Sequence, residues 1–264
     1  AISQSGETAD TLAAIKLAKE KGATIFGICN VVGSSISRET HGGVYTHAGP
    51  EIGVASTKTF TTQLVALAIL TCSIGVSKKI INQKKEKAIV MSLRRLPGLI
   101  NECLLEEDYI KKIAIRFKDK NSAIFIGRGT MHAIAMEGAL KLKEISYIHA
   151  EGYPAAEMKH GPIALVDPLT PSVFLIPKDA VYEKVLLNLE EIKARKGQII
   201  AVVSQGDDRV HNLADEIIEL PECPDFLNPI VASIPLQLLA YHIALLRGCD
   251  VDKPRNLAKS VTVE

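Results

Sequence analysis

Read for its hydrophobic and polar positions, the chain falls into short apolar runs separated by amphipathic stretches. Ala1-Ile2 has the character of the end of a strand, too short to be a strand alone. From Thr8 to Lys21, apolar Leu12, Ile15 and Leu17 recur at helical spacing, and Gly22 supplies a stop. Ala23 to Cys29 is mostly apolar, the pattern of a strand buried on both faces of a parallel sheet. After Gly33-Ser34-Ser35 comes a short β segment near Val44 to His47, and Ser56 opens a long helix running to about Ser77. Residues 78–120 read as helical and strongly charged, with Pro97 expected to break the pattern.

The second half repeats the rhythm. Strands are predicted at Ser122 to Ile126, Ile163 to Val166, Ser172 to Ile176, Gln198 to Val203 and Glu216 to Leu220. Helices are predicted from about Met131 to Tyr147, from Val181 to Lys196 and from Leu227 to Leu246. Strands alternating with helices imply an α/β fold of parallel sheets. The two halves look like two copies of one doubly wound domain, the first lacking its opening strand and helix. The expected division is a first domain over 1–95, a helical connector over 96–120, a second domain over 121–248 and a tail over 249–264. The tail, CDVDKPRNLAKSVTVE, is polar and weakly periodic, so it should be extended, and either frayed or docked.

Composition narrows the picture. The chain has 264 residues, 47% of them hydrophobic and 23% charged, which is globular rather than disordered. A net charge of +1 gives no global field toward nucleic acid or an anionic membrane, so any anion site must be local. Cys29, Cys72, Cys103, Cys223 and Cys249 form no CxxC pair, the usage of a reducing cytoplasm. No secretory leader is legible, and the longest apolar run, Leu64 to Leu70, is too short to span a bilayer. No His, Cys and Asp grouping has metal-ligand spacing, so neither metal nor cofactor is expected.

Three segments carry candidate chemistry. The loop Ser3-Gln4-Ser5-Gly6-Glu7-Thr8 lies between a strand and a helix, where open parallel sheets bind ligands. Hydroxyls of Ser3, Ser5 and Thr8, the Gln4 amide and the helix N-terminus could hold a phosphate without lysine. The plainer alternative is that Ser5 or Thr8 merely caps the helix. Glu137, Lys141 and Glu144 share one helix face by their spacing. They form either a solvated salt-bridged face or a carboxylate base with a cation for a developing enediolate. His160, in Glu157-Met-Lys159-His160-Gly161-Pro162, could move a proton on a sugar ring oxygen or make a structural hydrogen bond. Gly127-Arg128-Gly129 lacks the third glycine of a dinucleotide fingerprint.

The segments SQSGETADT, GPEIGVASTK, EGALKLKEISYIHAE, KHGPIALV and PRNLAKSVTVE, in this order, resemble the isomerase region of the glutamine–fructose-6-phosphate aminotransferase family, the glucosamine-6-phosphate synthases. That region consists of two sugar isomerase (SIS) domains. The resemblance implies conversion of fructose 6-phosphate, with ammonia from glutamine, to glucosamine 6-phosphate. It implies that Ser3, Gln4, Ser5 and Thr8 hold the sugar phosphate, that Val54 and Ser56 line the sugar pocket, and that Ala258 lies beside the reacting lysine. Glu144 corresponds to the base moving a proton between C1 and C2, and Lys141 to its cationic partner. His160 corresponds to the ring-opening histidine lent by a neighbouring subunit, and Lys259 to the tail lysine that reaches the carbonyl as a Schiff base. A homodimer in the cytoplasm and a glutaminase domain as partner are implied. That domain's first cysteine and the family's Cys-Gly-Thr-Ser loop have no match here. Two other readings share the loop: a non-catalytic phosphosugar-binding regulator, and a deglycase or isomerase built only from SIS domains. Glu144, Lys141 and Lys259 favour the enzyme over the regulator, and the intact NLAKSVTVE tail argues against the SIS-only enzyme.

Overall fold

The computed structural model describes residues 1–259. Contacts divide the chain into two compact units, Ala1–Lys87 with the chain from Asp252 onward, and Ala88–Val251.

The first unit runs β1 (Ile2–Ser3), α1 (Ala9–Glu20), β2 (Phe26–Cys29), α2 (Ser35–Glu39), β3 (Gly42–Tyr45) and α3 (Lys58–Ser77). Its three strands are parallel in the order β1-β2-β3, with Ile2 opposite Ile28 and Ser3 opposite Cys29. The predicted apolar stripe of α1 holds only in part: Ile15 is buried with Cys29 and Ile36 and Leu12 packs against them, whereas Leu17, two positions beyond Ile15 and so about 200° around the helix, is exposed. This core is small, so hydrogen bonds between loops carry much of the local order. The described part of the tail takes the docked alternative: the Val54 amide donates to the Asp252 carbonyl at 3.0 Å and Lys259 Nζ to the Gly53 carbonyl at 2.6 Å. The last five residues of the PRNLAKSVTVE motif lie outside the described residues.

Helix α4 (Gln83–Leu105) carries the chain from one unit to the other, and α5 (Glu107–Phe117) follows. Pro97 does not end the helix, contrary to the sequence expectation. A helix-interior proline costs about 3 kcal/mol through its missing donor and its clash with the preceding turn. Leu96, Leu99 and Cys103 are all buried, and each large apolar side chain returns roughly 1.5–3 kcal/mol. Burial on both sides of the proline therefore outweighs the local penalty.

The second unit contains β4 (Ser122–Gly127), α6 (Thr130–Ser146), β5 (His149–Pro154), β6 (Pro171–Ile176), α7 (Tyr182–Lys193), β7 (Gln198–Ser204), β8 (Glu216–Leu220) and α8 (Asn228–Leu246). The five strands are all parallel, in the order β5-β4-β6-β7-β8. Successive strand residues point to opposite faces. Ile124, Ile126, Phe174 and Ile176 bury against Leu189 and Ile192 of α7. On the other face, a Cβ on Gly138 of α6 would stand 3.0 Å from the Phe125 ring and 2.7 Å from Leu236 of α8, so a larger residue there would make the leucine tip and the ring give way. The result is a doubly wound sheet, the α/β class that the alternation of elements predicts.

Two expectations are corrected in this unit. Ile163 to Val166 is not a strand; Pro162–Leu165 forms a 3-10 turn, with Ala164 N bonded to Gly161 O and Val166 N to Ile163 O. A four-residue turn opened by a proline bonds the Ala164 and Val166 amides locally, where a strand would need a sheet partner. The strand that does form, β5, was not expected. Its sequence HAEGYP is polar, with Gly152 and Pro154, and reads as a loop. It is an edge strand, pairing only with β4.

Two helical stretches, Lys58–Ser77 and Asp225–Leu246, are long and apolar enough to cross a membrane, at a mean hydropathy of 1.7 each. The apolar run Leu64 to Leu70 understates α3, because uncharged threonines and Gln63 extend it without a charge. Length and composition are shared by spans and core helices. Of the Asp225–Leu246 window, 67% is buried within the protein, the behaviour of a core helix.

Candidate functional site

Loop Gln4–Thr8 leaves the carboxyl end of β1 and enters α1. Thr8 occupies the N-cap position with extended backbone, yet makes no side-chain cap bond. Its hydroxyl shares a hydrogen bond at 3.3 Å with Ser3, which is buried. Ser3 Oγ also accepts from Gly6 N at 2.9 Å, and Ser5 Oγ accepts from Glu7 N at 3.2 Å. The hydroxyls are thus turned into the loop, and the helix-cap alternative is not what forms. Gly6 has φ +69°, and a Cβ there would meet Ser34 Oγ at 2.0 Å, so the position needs glycine twice over.

Neighbouring loops brace this one. Gly6 O accepts from Ile36 N at 2.9 Å, and Glu7 Oε1 accepts from Ser35 N at 2.8 Å. The Ser35 bonds hold the Glu7 carboxyl below its ordinary value. Asn30, at the end of β2, donates its amide to Gln4 O at 3.3 Å and its Nδ2 to Gly49 O at 2.9 Å. One asparagine therefore ties Ser3–Thr8 to the loop that carries Val54 and Ser56. Sequence reasoning missed Asn30, whose only signal is its position at a strand's carboxyl end.

The second loop centres on Glu51, also missed. Its carboxylate accepts from Thr57 N at 2.8 Å, Thr57 Oγ1 at 3.2 Å, Thr59 N at 3.4 Å and Ser56 Oγ at 3.1 Å, and also from the Thr59 hydroxyl. Lys259 Nζ stands 4.0 Å from Glu51 Oε2. Ser56 and Lys259 are thus brought together around one carboxylate. Val54 is half-buried and Ala258 exposed beside Lys259.

In the second unit, α6 places Glu137, Lys141 and Glu144 on one face, as their spacing predicts. Lys141 is only 4% exposed, so this is no solvated surface ladder. Its Nζ lies 3.4 Å from Glu137 Oε1 and 2.7 Å from Glu144 Oε2. The contact with Glu144 is an ion pair off the hydrogen-bond axis, and Oε2 is buried without a directed donor. Burial pushes the Glu137 carboxyl above its ordinary value, against the opposing pull of Lys141. An ammonium flanked by two carboxylates in unequal environments can stabilise developing oxyanion charge while one carboxylate moves a proton.

His160 ends the 3-10 turn Ala155–His160 after β5. It is exposed in a groove of about 700 Å³ shared with Arg128, Lys159, Lys184, Asn188 and Glu191. Lys159 pairs there with Glu191 at 2.6 Å. None of Glu137, Lys141 or Glu144 lines this groove. Among the described residues, no group of three or more His, Cys, Asp or Glu could hold a metal ion.

A family model described as the SIS domain matches residues 1–73 and 116–247. The chain belongs to the SIS domain family. It is 55% identical to the glutamine–fructose-6-phosphate aminotransferase [isomerizing] of Chlorobaculum tepidum and 56% to that of Bacteroides thetaiotaomicron, across all of this chain. The chain spans 43% of the length of each of these curated relatives. A solved structure described as the C-terminal domain of glucosamine-fructose-6-phosphate aminotransferase from Francisella tularensis superposes with a TM-score of 0.93 at 47% identity, covering 96% of this chain and 72% of that one. A putative tagatose-6-phosphate ketose/aldose isomerase from Clostridium novyi, 18% identical with a TM-score of 0.86, shares the SIS fold. The SIS matches fall on both sheets, so the hydroxyl loop of one unit and the buried lysine of the other each lie in SIS sequence.

Proposed function

We propose that this chain is the sugar-phosphate isomerase part of a glutamine–fructose-6-phosphate aminotransferase, acting on fructose 6-phosphate to give glucosamine 6-phosphate. The observation that carries the reading is Lys141, a buried ammonium held between Glu137 and Glu144. A phosphosugar-binding regulator would need only the hydroxyl loop, and has no use for a charge cluster that is costly to bury.

In this reading the first unit binds. Ser3, Gln4, Ser5 and Thr8 hold the phosphate, while Val54, Ser56 and Ala258 line the sugar. Lys259 condenses with the C2 carbonyl, releasing water and leaving an imine that acidifies the C1 proton. Ammonia supplied by a glutaminase domain displaces the lysine. The second unit moves protons: Glu144 takes one from C1 and returns it to C2, and Lys141 steadies the charge that develops on oxygen. His160 assists ring opening and is lent to a neighbouring copy, which makes the working form a homodimer in the cytoplasm. The sequence similarity over the whole chain supports these assignments.

The test is solvent proton exchange into fructose 6-phosphate by the full-length protein. Glu144→Gln should lower exchange by on the order of 10²–10⁴, the usual contribution of general base catalysis. Exchange at the wild-type rate would remove Glu144 from the mechanism. Lys259→Ala should abolish borohydride trapping of the sugar on the protein, and trapping that persists would make the tail lysine a bystander.

A further inference from the structure

Loop 49–57 contains a carboxylate that none of these roles uses. The Glu51 side chain is 4% exposed. It accepts bonds from Ser56, Thr57 and Thr59, at or beyond the lone-pair capacity of a carboxylate. Burial alone would push its carboxyl up; these hydrogen bonds, made at the N-terminus of α3, outweigh burial and hold it below its ordinary value. Glu51 is therefore an anion held by its own loop.

Its surroundings exceed what a helix cap requires. Oε2 faces the Lys259 ammonium at 4.0 Å, and that ammonium donates to Gly53 O at 2.6 Å. At the other end of the tail, Asp252 O accepts from Val54 N at 3.0 Å. The tail grips the loop at two points, and Glu51 places a carboxylate beside Lys259. Oε2 also accepts from Ser56 Oγ at 3.1 Å, so one oxygen faces both a loop hydroxyl and the tail lysine.

We propose that Glu51 is the positioning residue of the C-terminal tail: a buried anion that holds Lys259 and Ser56 together and so docks segment 252–259 on loop 49–57. The sugar-facing roles of Lys259 and Ser56 rest on the proposed function; the docking role of Glu51 does not need them.

Hydrogen exchange of peptides covering 249–259 and 49–57 in the full-length protein reads the docking directly. Glu51→Gln and Lys259→Met should each speed exchange in both segments by about tenfold, and the double variant should be no faster than either single one. Glu51→Asp, which keeps the charge, should lie nearer wild type. A mere helix cap would loosen α3 while leaving the tail unmoved, and its effect would add to that of Lys259→Met; either result overturns the proposal. Should Glu51→Gln fail to fold, Lys259→Met decides alone, because unchanged exchange of both segments in that variant also overturns it. Borohydride trapping on wild-type Lys259 separates the two claims. Faster exchange in the variants without trapping in the wild type upholds the positioning role and fails the imine assignment. Trapping with unmoved exchange does the reverse.

Discussion

Buried charge is what distinguishes individual residues here. Glu51 and Glu137 are both shielded carboxyls, and their values move in opposite directions because one is saturated with donors and the other is not. The signs follow. A carboxyl depressed on folding, such as Glu51, contributes stability above the ordinary carboxylate range that is lost as pH falls through its folded value. Glu51→Gln should therefore flatten the acid limb of the first unit's unfolding curve, followed by exchange or fluorescence of an attached probe. Glu137, raised on folding, contributes the opposite slope and costs stability as pH rises through the ordinary range. Thiols give a second residue-scale prediction. Burial pushes Cys103 up to about 12 and Cys223 up to about 11. At pH 8 both should resist iodoacetamide in the native chain and react after unfolding, as peptide mass spectrometry would record. At this scale the sequence was partly legible. Regular spacing announced the face of Glu137, Lys141 and Glu144. Glu51 was not legible, because its partners are gathered by a loop and a distant tail rather than by a helical repeat.

Elements were legible where pattern and length agreed. Helices α1, α6 and α7 follow from alternating apolar and polar stretches, and α8 and the inner strands from continuous apolar runs of the right length. Strand β5 was hidden, because an edge strand with one exposed side carries no apolar run. Pro97 misled for the opposite reason: a strong local rule yielded to burial on both sides of it. The close approach of α6 to Phe125 and Leu236 makes an element-scale prediction. Gly138→Ala gains about 1 kcal/mol in helix propensity, while overpacking costs about 1–3 kcal/mol. The net should be a loss of stability in denaturant melts, and Gly138→Val should lose more.

At the scale of the whole chain, the two units differ in the size of their cores. The first unit centres on Ile15, Cys29 and Ile36, whereas one face alone of the second unit's sheet buries a far longer set of aliphatic and aromatic side chains. Native-state hydrogen exchange should reflect this. Amides of β6 and β7 should be the slowest in the chain, and those of β1 to β3 should open at lower free energy. Amides of β1 to β3 as slow as those of β7 would contradict this ranking.

The docked tail also has a consequence in time. The first unit is written in two pieces, its opening residues up to Lys87 and its closing ones from Asp252, with the second unit encoded between them. At typical rates of synthesis the intervening stretch takes on the order of ten seconds to translate. Throughout that interval loop 49–57 exists without the lysine and the carbonyl that later hold it. Within this stretch, the unit that emerges ahead of the other is thus finished after it, and its completion waits until residues 252–259 have left the ribosome.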